Sequence, residues 1–218
     1  MGIERTIAAA IHGRYLLEAA GGPGRHRLLV GFHGYGEHAA RQLDRLRAIR
    51  GTAEWTVVSI QALHRFYRAG SNDIVAASWM TREDRELMIA DNISYVNGVL
   101  DAVERECQEL QTIVHAGFSQ GASMAYRAAT LGSRRASGVI ALGGDVPPEL
   151  TDPALSRIGR ALVGRGVRDA FYTADTRDSD VRRLTAAGVQ TVAVDLDAEH
   201  KWTETFTRAA SDWLGDLA

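Results

Sequence analysis

The chain has 218 residues, of which 45% are hydrophobic and 24% charged, which is ordinary for a soluble globular protein with one substantial core. Its formal net charge of −2 gives no electrostatic reason to expect nucleic acid or an anionic membrane surface as a partner. The single cysteine, Cys107, excludes an intramolecular disulfide and agrees with a reducing, cytoplasmic compartment.

No internal repeat, low-complexity tract or Pro/Ser-rich linker interrupts residues 1–218, so we expect one domain. No apolar run approaches the 18 residues that a membrane span needs, so no membrane is expected as a partner. At the N-terminus, residues 6–11 and 14–18 are expected to pair as a β-hairpin. The Gly-Gly-Pro-Gly segment at 21–24 is expected to form the turn that ends this unit.

Residues 28–32, Leu-Leu-Val-Gly-Phe, form a short apolar run that is typical of a buried strand. The Gly-rich segment His-Gly-Tyr-Gly-Glu follows at 33–37, and it is either an ordinary loop or part of an active site. Glycines let backbone amides approach a substrate carbonyl, so the Tyr35 amide is a candidate oxyanion donor. No Gly-Lys-Ser/Thr follows, which excludes a phosphate-binding P-loop. A polar helix is predicted over 38–49.

The β-branched run at 55–60 predicts the next strand, and a long loop follows it over 61–80. Aromatic residues in this loop are expected to form the wall of a shallow apolar substrate site, although aromatic loops serve simple packing equally often. These residues are Phe66, Tyr67 and Trp79.

A long helix is predicted to begin at Thr81, where Thr-Arg-Glu-Asp is a capping-box pattern. Apolar residues then recur at steps of four and three, which indicates one buried helix face. Cys107 belongs to this face, so it is expected to be inert core and not a nucleophile. The face comprises Ile89, Ile93, Val96, Leu100, Val103, Cys107 and Leu110.

The motif Gly-Phe-Ser-Gln-Gly at 117–121 stands between a predicted strand, 112–116, and an Ala-rich helix, 122–131. A chance Gly-x-Ser-x-Gly occurs in roughly one such chain in ten, so the position of the motif is what carries weight. A sharp strand-to-helix turn presents a serine Oγ free of bulk, and flanking glycines make that turn possible. The pattern therefore indicates Ser119 as a nucleophile, with the amide of Gln120 at the helix N-terminus as the second oxyanion donor.

Further strands are predicted at 138–142, 160–163 and 189–194, and the C-terminal helix carries an apolar face. Alternating strands and helices predict a mostly parallel sheet with helices on both faces, an α/β protein whose ligands bind beyond the carboxyl ends of the strands. About 17 residues separate the strands at 138–142 and 160–163, too few for a helical cap domain. The apolar face of the last helix comprises Trp202, Phe206, Ala209 and Trp213.

The strand-to-helix turn at 117–121 is called the elbow below. A nucleophilic serine in such a turn requires an acid and a base, expected in the chain order Ser, Asp, His. His200 follows the last strand and Asp169 follows the strand at 160–163. An acid at that place would fix the imidazole tautomer, so that the other ring nitrogen can take the serine proton.

Among the other histidines, His64 stays open as a substrate contact. Four other acids stay open on spacing alone: Asp145, the main alternative because it follows the preceding strand, and Asp175, Asp195 and Asp197.

Four motifs in this order resemble the phospholipase/carboxylesterase family of α/β-hydrolases, which are small, mostly lidless serine esterases and include acyl-protein thioesterases. The resemblance runs from about Leu28 to Leu214, and Gly-Phe-Ser-Gln-Gly is its most specific part. The motifs are Phe-His-Gly-Tyr-Gly at 32–36, Gly-Phe-Ser-Gln-Gly at 117–121, Gly-Arg-Gly-Val-Arg-Asp at 164–169 and Glu-His-Lys-Trp at 199–202.

The resemblance implies an α/β-hydrolase fold without a cap domain, with Ser119 as nucleophile, Asp169 as acid and His200 as base. It implies the Tyr35 and Gln120 amides as oxyanion donors.

The chain departs from the family pattern in three places. The family usually has Asp at the position of Glu37, Gly at the position of Glu199, and Pro/Val-rich sequence where this chain has Ala-Phe-Tyr-Thr at 170–173. These departures leave the three catalytic residue types in place and bear on the substrate.

The function predicted from the sequence is that of a serine carboxylesterase, which hydrolyses short- to medium-chain esters through an acyl-enzyme. A small-molecule ester is the expected partner, and no cofactor or metal is expected, because neither His-Glu-x-x-His nor a cysteine cluster is present. The alternatives are an acyl-thioesterase or lysophospholipase-like enzyme, and a non-catalytic binding protein on the same fold. The sequence leaves open whether the protein is a monomer or a homodimer.

Overall fold

The computed structural model describes residues 2–20, 26–70, 73–107 and 110–217. Helices α1 to α6 and a short 3-10 turn at Thr52–Glu54 accompany the strands, which are numbered β1 to β9 in chain order. The helices are α1 (Ala39–Arg47), α2 (Arg85–Cys107), α3 (Gln120–Leu131), α4 (Asp152–Leu155), α5 (Ala174–Ala186) and α6 (Glu204–Gly215). The strands are β1 (Arg14–Glu18), β2 (His26–Phe32), β3 (Trp55–Gln61), β4 (His64–Tyr67), β5 (Val75–Ser78), β6 (Leu110–Phe118), β7 (Ala136–Leu142), β8 (Ile158–Gly166) and β9 (Gln190–Leu196).

Within the described residues, seven strands form one sheet in the order β1-β3-β2-β6-β7-β8-β9, and β4 pairs with β5 separately. Only the β1–β3 pair of this sheet is antiparallel, whereas β3, β2, β6, β7, β8 and β9 run parallel to one another. Parallel strands are normally buried on both faces. The apolar runs of β2, β3, β6, β7 and β8 are buried, as predicted, whereas β9 at the edge of the sheet is largely exposed.

The helices cover both faces of the sheet. Leu28, Val30 and Phe32 of β2 pack in one cluster with residues of α2, α3 and α5. The intervening Leu29 packs in a second cluster with residues of α1 and α6. Burial of each such side chain stabilises the fold by about 1.5–3 kcal/mol. The two clusters confirm the predicted α/β architecture with helices on both faces.

The N-terminal hairpin predicted from the sequence is wrong. Residues 6–11 are exposed and form no strand, while β1 pairs antiparallel with β3, from Arg14 opposite Gln61 to Glu18 opposite Val57. An isolated two-stranded hairpin is marginally stable, whereas joining the fully buried β3 extends a large sheet. The predicted turn at 21–24 lies outside the described residues.

The long helix begins four residues later than predicted. Helix α2 starts at Arg85, and the hydroxyl of Thr81 donates to the carbonyl of Glu83 instead of capping a helix. Asp84 has a φ of 47°, a left-handed conformation that an α-helix does not accommodate. Val96, Leu100, Val103 and Cys107 of the predicted face are buried, and Ile89 and Ile93 are half-buried, as the pattern predicts. The assignment of Leu110 to this face is wrong, because Leu110 begins β6.

The strand ends leave the carboxyl edge of the sheet open. Between β7 and β8, the short helix α4 is the one helix present, so these residues contain no cap domain, as predicted. The expected loop over 61–80 instead contains the β4–β5 hairpin. No helix of the described residues is both long and apolar enough to cross a bilayer.

Candidate active site

Ser119 lies at the junction of β6 and α3, in the turn that the sequence motif predicts. Its φ of 55° and ψ of −124° are rare for a residue with a side chain, and such conformations cost on the order of 1–3 kcal/mol. The Ser119 amide donates to the carbonyl of Leu142 at 2.9 Å, and the amide of Ala122 donates to the carbonyl of Ser119 at 2.9 Å. These bonds tie the strained turn to β7 and to the first turn of α3.

The two glycines that flank Ser119 are required by close backbone contacts. A Cβ on Gly117 would lie 2.1 Å from the carbonyl oxygen of Gly121, and a Cβ on Gly121 would lie 2.1 Å from that of Phe32. Backbone atoms cannot yield to such contacts as a flexible side chain would. Gly117 is therefore required by the tightness of the turn itself, and Gly121 by the approach of α3 to the end of β2.

His200, in the loop between β9 and α6, reaches the serine. Its Nε2 lies 2.8 Å from Ser119 Oγ. The ring packs against Phe118, with centroids 4.9 Å apart, and against Phe171, with centroids 5.1 Å apart. Gly143, at a φ of 65°, leaves room for it, because a Cβ there would lie 3.0 Å from His200 Cε1. The imidazole is thus held in one orientation toward the hydroxyl.

Asp169, in the turn after β8, holds the far side of the imidazole. Its Oδ2 lies 2.7 Å from His200 Nδ1, and its Oδ1 accepts from the amides of Phe171 at 2.8 Å and Tyr172 at 3.0 Å. The Asp169 side chain is 1% exposed. A buried carboxylate needs such partners to stay charged.

The four alternative acids do not contact His200. Asp145 accepts a hydrogen bond from the hydroxyl of Ser123 at 2.9 Å. Asp195 forms an ion pair with Arg165 at 3.1 Å, and Asp197 forms one with Arg168. Asp175 lies in the first turn of α5.

The two predicted oxyanion donors belong to different segments. The Gln120 amide is the first of α3, and an α-helix leaves its first amides without an intrahelical acceptor. Tyr35 belongs to the loop after β2. Across the described parts of the chain, no protein group accepts a hydrogen bond from either amide. Both are therefore free to bind a substrate oxygen.

The Gln120 side chain forms hydrogen bonds that link the elbow to the segment directly after β5. Its Oε1 accepts from the Trp79 amide at 2.8 Å, and its Nε2 donates to the Met80 carbonyl at 2.8 Å. The side chain is thus occupied by structure, which leaves the backbone amide as the group of Gln120 that can serve a substrate.

The aromatic residues predicted to form the substrate wall lie in different surroundings. Phe66 stacks on Tyr35 with ring centroids 5.5 Å apart, and Tyr67 is exposed. Trp79 does not fit the expectation, because it is fully buried and its Nε1 donates to the carbonyl of His33 at 2.9 Å. This hydrogen bond satisfies the indole N–H inside the core. Trp79 therefore supports the loop after β2 from the core and is not exposed to a ligand. His64, the other open candidate, is exposed in β4.

The described residues contain no group of three or more His, Cys, Asp or Glu side chains that could hold a metal ion. Two open cavities flank the hydrogen-bonded residues. One, of ≈ 410 Å³, is lined by Ser119 and Asp145 among others, and the other, of ≈ 450 Å³, is lined by His200 and Trp202 among others.

Comparison with protein families gives a match to the phospholipase/carboxylesterase model over residues 19–163, which is more than half of the chain. The chain belongs to the phospholipase/carboxylesterase family. Its mostly parallel sheet with helices is the α/β-hydrolase fold. The match ends before Asp169 and His200, so it does not bear on those two residues. No curated protein matches the sequence significantly.

Solved structures share the fold of this phospholipase/carboxylesterase family member at low sequence identity. The Bacillus cereus carboxylesterase superposes with a TM-score of 0.76 at 16% identity, covering 94% of this chain and 95% of that one. A carboxylesterase from Mesorhizobium loti gives 0.74 at 21% identity, with 93% and 94% covered. Zea mays acyl-protein thioesterase 2 gives 0.71 at 17% identity, with 94% and 99% covered. At these identities the comparisons establish the fold.

Two buried groups that sequence reasoning gave no structural role support the loop after β2 in this family member. His33 is fully buried; its Nε2 accepts from the Ala62 amide at 3.1 Å, so its Nδ1 donates to the Gly34 carbonyl at 2.8 Å. Burial lowers the pKa of His33 to about 4, so the ring stays neutral at physiological pH. It therefore positions backbone and carries no charge into the site.

Glu37 is the second of these groups. Its carboxylate accepts from the Gly34 amide at 2.9 Å and pairs with Arg45 at 2.6 Å and Arg41 at 3.0 Å. Burial by itself would raise the pKa of Glu37, but the hydrogen bonds and charges of these partners outweigh it and lower that pKa. The i,i+4 spacing of Glu37 and Arg41 was the one sequence signal for this cluster. The pairing with Arg45 across loop and helix has no such signature.

Proposed function

We propose that this protein is a serine carboxylesterase with Ser119 as nucleophile, His200 as base and Asp169 as acid. The observation that carries the proposal is the continuous chain of hydrogen bonds from Ser119 Oγ to His200 Nε2, 2.8 Å, and from His200 Nδ1 to Asp169 Oδ2, 2.7 Å. A strained serine at a strand-to-helix turn, backed by this chain, is the arrangement that acyl transfer requires. Membership of the phospholipase/carboxylesterase family supports the same reaction class.

In the proposed first step, neutral His200 takes the proton of Ser119 as the oxygen attacks the ester carbonyl. The amides of Tyr35 and Gln120 hold the negative charge that develops on the carbonyl oxygen. Asp169 keeps the proton on Nδ1 and stabilises the imidazolium that forms. The alcohol then leaves with the proton from His200, which produces an acyl-enzyme.

In the second step, His200 takes a proton from water, and the resulting attack on the acyl-enzyme releases the carboxylic acid and restores Ser119. The same residues can attack a thioester carbonyl by the same route. A comparison of p-nitrophenyl ester and acyl-thioester turnover at equal acyl length decides which bond is preferred.

The nucleophile is tested by Ser119→Ala with p-nitrophenyl esters from acetate to palmitate. We expect the wild type to favour the short to medium acyl chains and Ser119→Ala to lose at least a thousandfold in kcat, since loss of a triad nucleophile abolishes almost all acyl transfer. Ser156→Ala, an exposed serine at the end of α4, is the matched control and should leave kcat unchanged.

Labelling of Ser119 by a fluorophosphonate probe provides an independent measurement. The wild type should be labelled and Ser119→Ala should not be. If Ser119→Ala keeps activity within about tenfold of the wild type, the assignment fails. If the folded wild type neither reacts with the probe nor hydrolyses any ester, the non-catalytic binding protein becomes the better description.

A further inference from the structure

A charged side chain shares a cavity with the nucleophile. The cavity of ≈ 410 Å³ next to Ser119 is also lined by Asp145 and Phe171. Asp145 follows the carboxyl end of β7, the strand next to β6 in the sheet, and it is exposed. An ester whose carbonyl lies at Ser119 can place its alcohol or acyl part in this cavity or in the cavity of ≈ 450 Å³ beside His200. The groups that line the cavity next to Ser119 therefore bear on which substrates are accepted.

The negative charge of Asp145 is not balanced by a nearby cation. The hydroxyl of Ser123 donates to Oδ1 at 2.9 Å, but within the described residues no Lys, Arg or His nitrogen lies within 4 Å of this carboxylate. Arg127 is close enough to be affected by its charge, yet the Arg127 guanidinium is paired with Glu149 at 2.7 Å. Among the described residues that line the cavity, Asp145 alone carries a formal charge.

An aromatic ring lines the same cavity. Phe171 is 82% exposed, which is unusual for so large an apolar side chain, and it contacts the His200 ring in a T-shaped arrangement with centroids 5.1 Å apart. The face of an aromatic ring attracts cations and not anions. The ring and the carboxylate thus favour the same kind of ligand, although they come from different loops, after β7 and after β8.

We propose that the natural substrate is an ester that carries a cationic group, such as a substituted ammonium, which binds in this cavity with Asp145 and Phe171 as its partners. This inference rests on the proposed esterase function and names its substrate class. A long alkyl chain in the cavity would bury the carboxylate with the Ser123 hydroxyl as its partner and no cation, which is costly for a charged group. An anionic group would be repelled by it. A cation gains from both groups.

The experiment uses two pairs of esters that differ only in a quaternary nitrogen against a quaternary carbon. Butyrylcholine and 3,3-dimethylbutyl butyrate place the difference in the alcohol. The p-nitrophenyl esters of betaine and of 3,3-dimethylbutyrate place it in the acyl group. The quantity measured is the ratio of kcat/KM for the cationic over the neutral ester, after division by the rates of spontaneous hydrolysis. The pair that responds also shows which side of the ester occupies the cavity.

We expect the wild type to prefer the cationic ester in one of the pairs. Asp145→Asn should lower the ratio of cationic over neutral kcat/KM by about fivefold or more, because this is the effect of two unit charges about 4 Å apart in water. Asp91→Asn, which removes the same charge from the exposed face of α2 outside the cavity, should leave the ratio unchanged. Phe171→Leu, on an exposed ring that the core does not need, should also lower it and provides the test should Asp145→Asn not fold.

The inference fails if no folded variant of Asp145 or Phe171 changes the ratio in either pair. It fails equally if Asp91→Asn lowers the ratio as much as Asp145→Asn, because the preference would then come from the charge of the whole surface. Both results differ from failure of the proposed function, in which Ser119→Ala would continue to hydrolyse all four esters.

Discussion

Ser119 and His200 could be identified from the sequence because each position has a local physical reason. One glycine is needed inside the tight turn and another where α3 approaches the end of β2, and a histidine after the last strand is within reach of the elbow. The acid could not be chosen in this way, since five aspartates follow or precede strand ends. The structure separates them by contact, and Asp169 lies against His200.

Asp169→Asn is expected to keep the shape of the site and to lose the charge that stabilises the imidazolium. The expected loss in kcat is on the order of 10⁴, measured with a short p-nitrophenyl ester and accompanied by the melting temperature. Asp175→Asn, an exposed acid in the first turn of α5, is the control and should retain kcat.

The double variant with His200→Ala distinguishes a shared role from two separate ones. Residues that act as one unit are grossly non-additive, so Asp169→Asn should cost almost nothing further once His200 is removed. Additive losses, or a fully active Asp169→Asn, would remove Asp169 from the proposed mechanism.

At the scale of elements, the buried strands were predictable and their partners were not. An apolar run such as residues 28–32 indicates a buried strand whatever surrounds it. The position of β1 beside β3 is a tertiary choice, and the local pattern equally allowed a hairpin with residues 6–11. The start of α2 was also predicted wrongly. Residues 81–84 have the residue types of a capping box, but Asp84 adopts a left-handed conformation, so the helix begins only after it. The burial of Trp79 was not predictable from its neighbours in the sequence, because the indole N–H is satisfied by the carbonyl of His33, 46 positions earlier in the chain.

The loop after β2 depends on Glu37, so we expect Glu37→Gln to impair both stability and catalysis. The change removes the charge that pairs with the nearly buried Arg45, and we expect a loss of about 2 kcal/mol in the free energy of unfolding. Because the same carboxylate holds the Gly34 amide next to Tyr35, kcat should fall by about tenfold while KM changes less.

Partial rescue of kcat by Glu37→Asp, which keeps the charge, would support a positioning role. Glu54→Gln, at an exposed pair with Arg27, is the control and should alter neither quantity. Loss of stability with an unchanged kcat would mean that Glu37 serves the fold alone.

At the scale of the whole molecule, buried histidines make the stability depend on pH. Burial lowers the pKa values of His33 and His115 to about 4, below their ordinary value near 6.5. The unfolded chain therefore binds more protons than the native protein between about pH 6.5 and 4, and stability is lost as the pH falls through this window. Asp180 acts in the opposite direction, because burial raises its pKa to about 6.

His115→Leu should reduce this pH dependence. Within the described residues neither ring nitrogen of His115 has a hydrogen-bond partner, so the substitution also removes an unsatisfied polar group, which costs about 1–3 kcal/mol when buried. We expect a higher melting temperature at pH 7 and a larger gain at pH 5. The exposed His12→Gln is the control and should give the wild-type pH profile. A smaller gain at pH 5 than at pH 7 would contradict the prediction.

The three residues of the hydrogen-bond chain come from distant parts of the sequence, and His200 lies 81 positions after Ser119. Protein synthesis therefore produces the proposed nucleophile long before its proposed base, and during that interval the growing chain contains Ser119 without the histidine that would activate it. Long-range contacts of this kind form slowly in folding. In the proposed mechanism, ester hydrolysis begins only when β8, β9 and the loop before α6 have joined the sheet, so the onset of activity would mark the completion of the sheet.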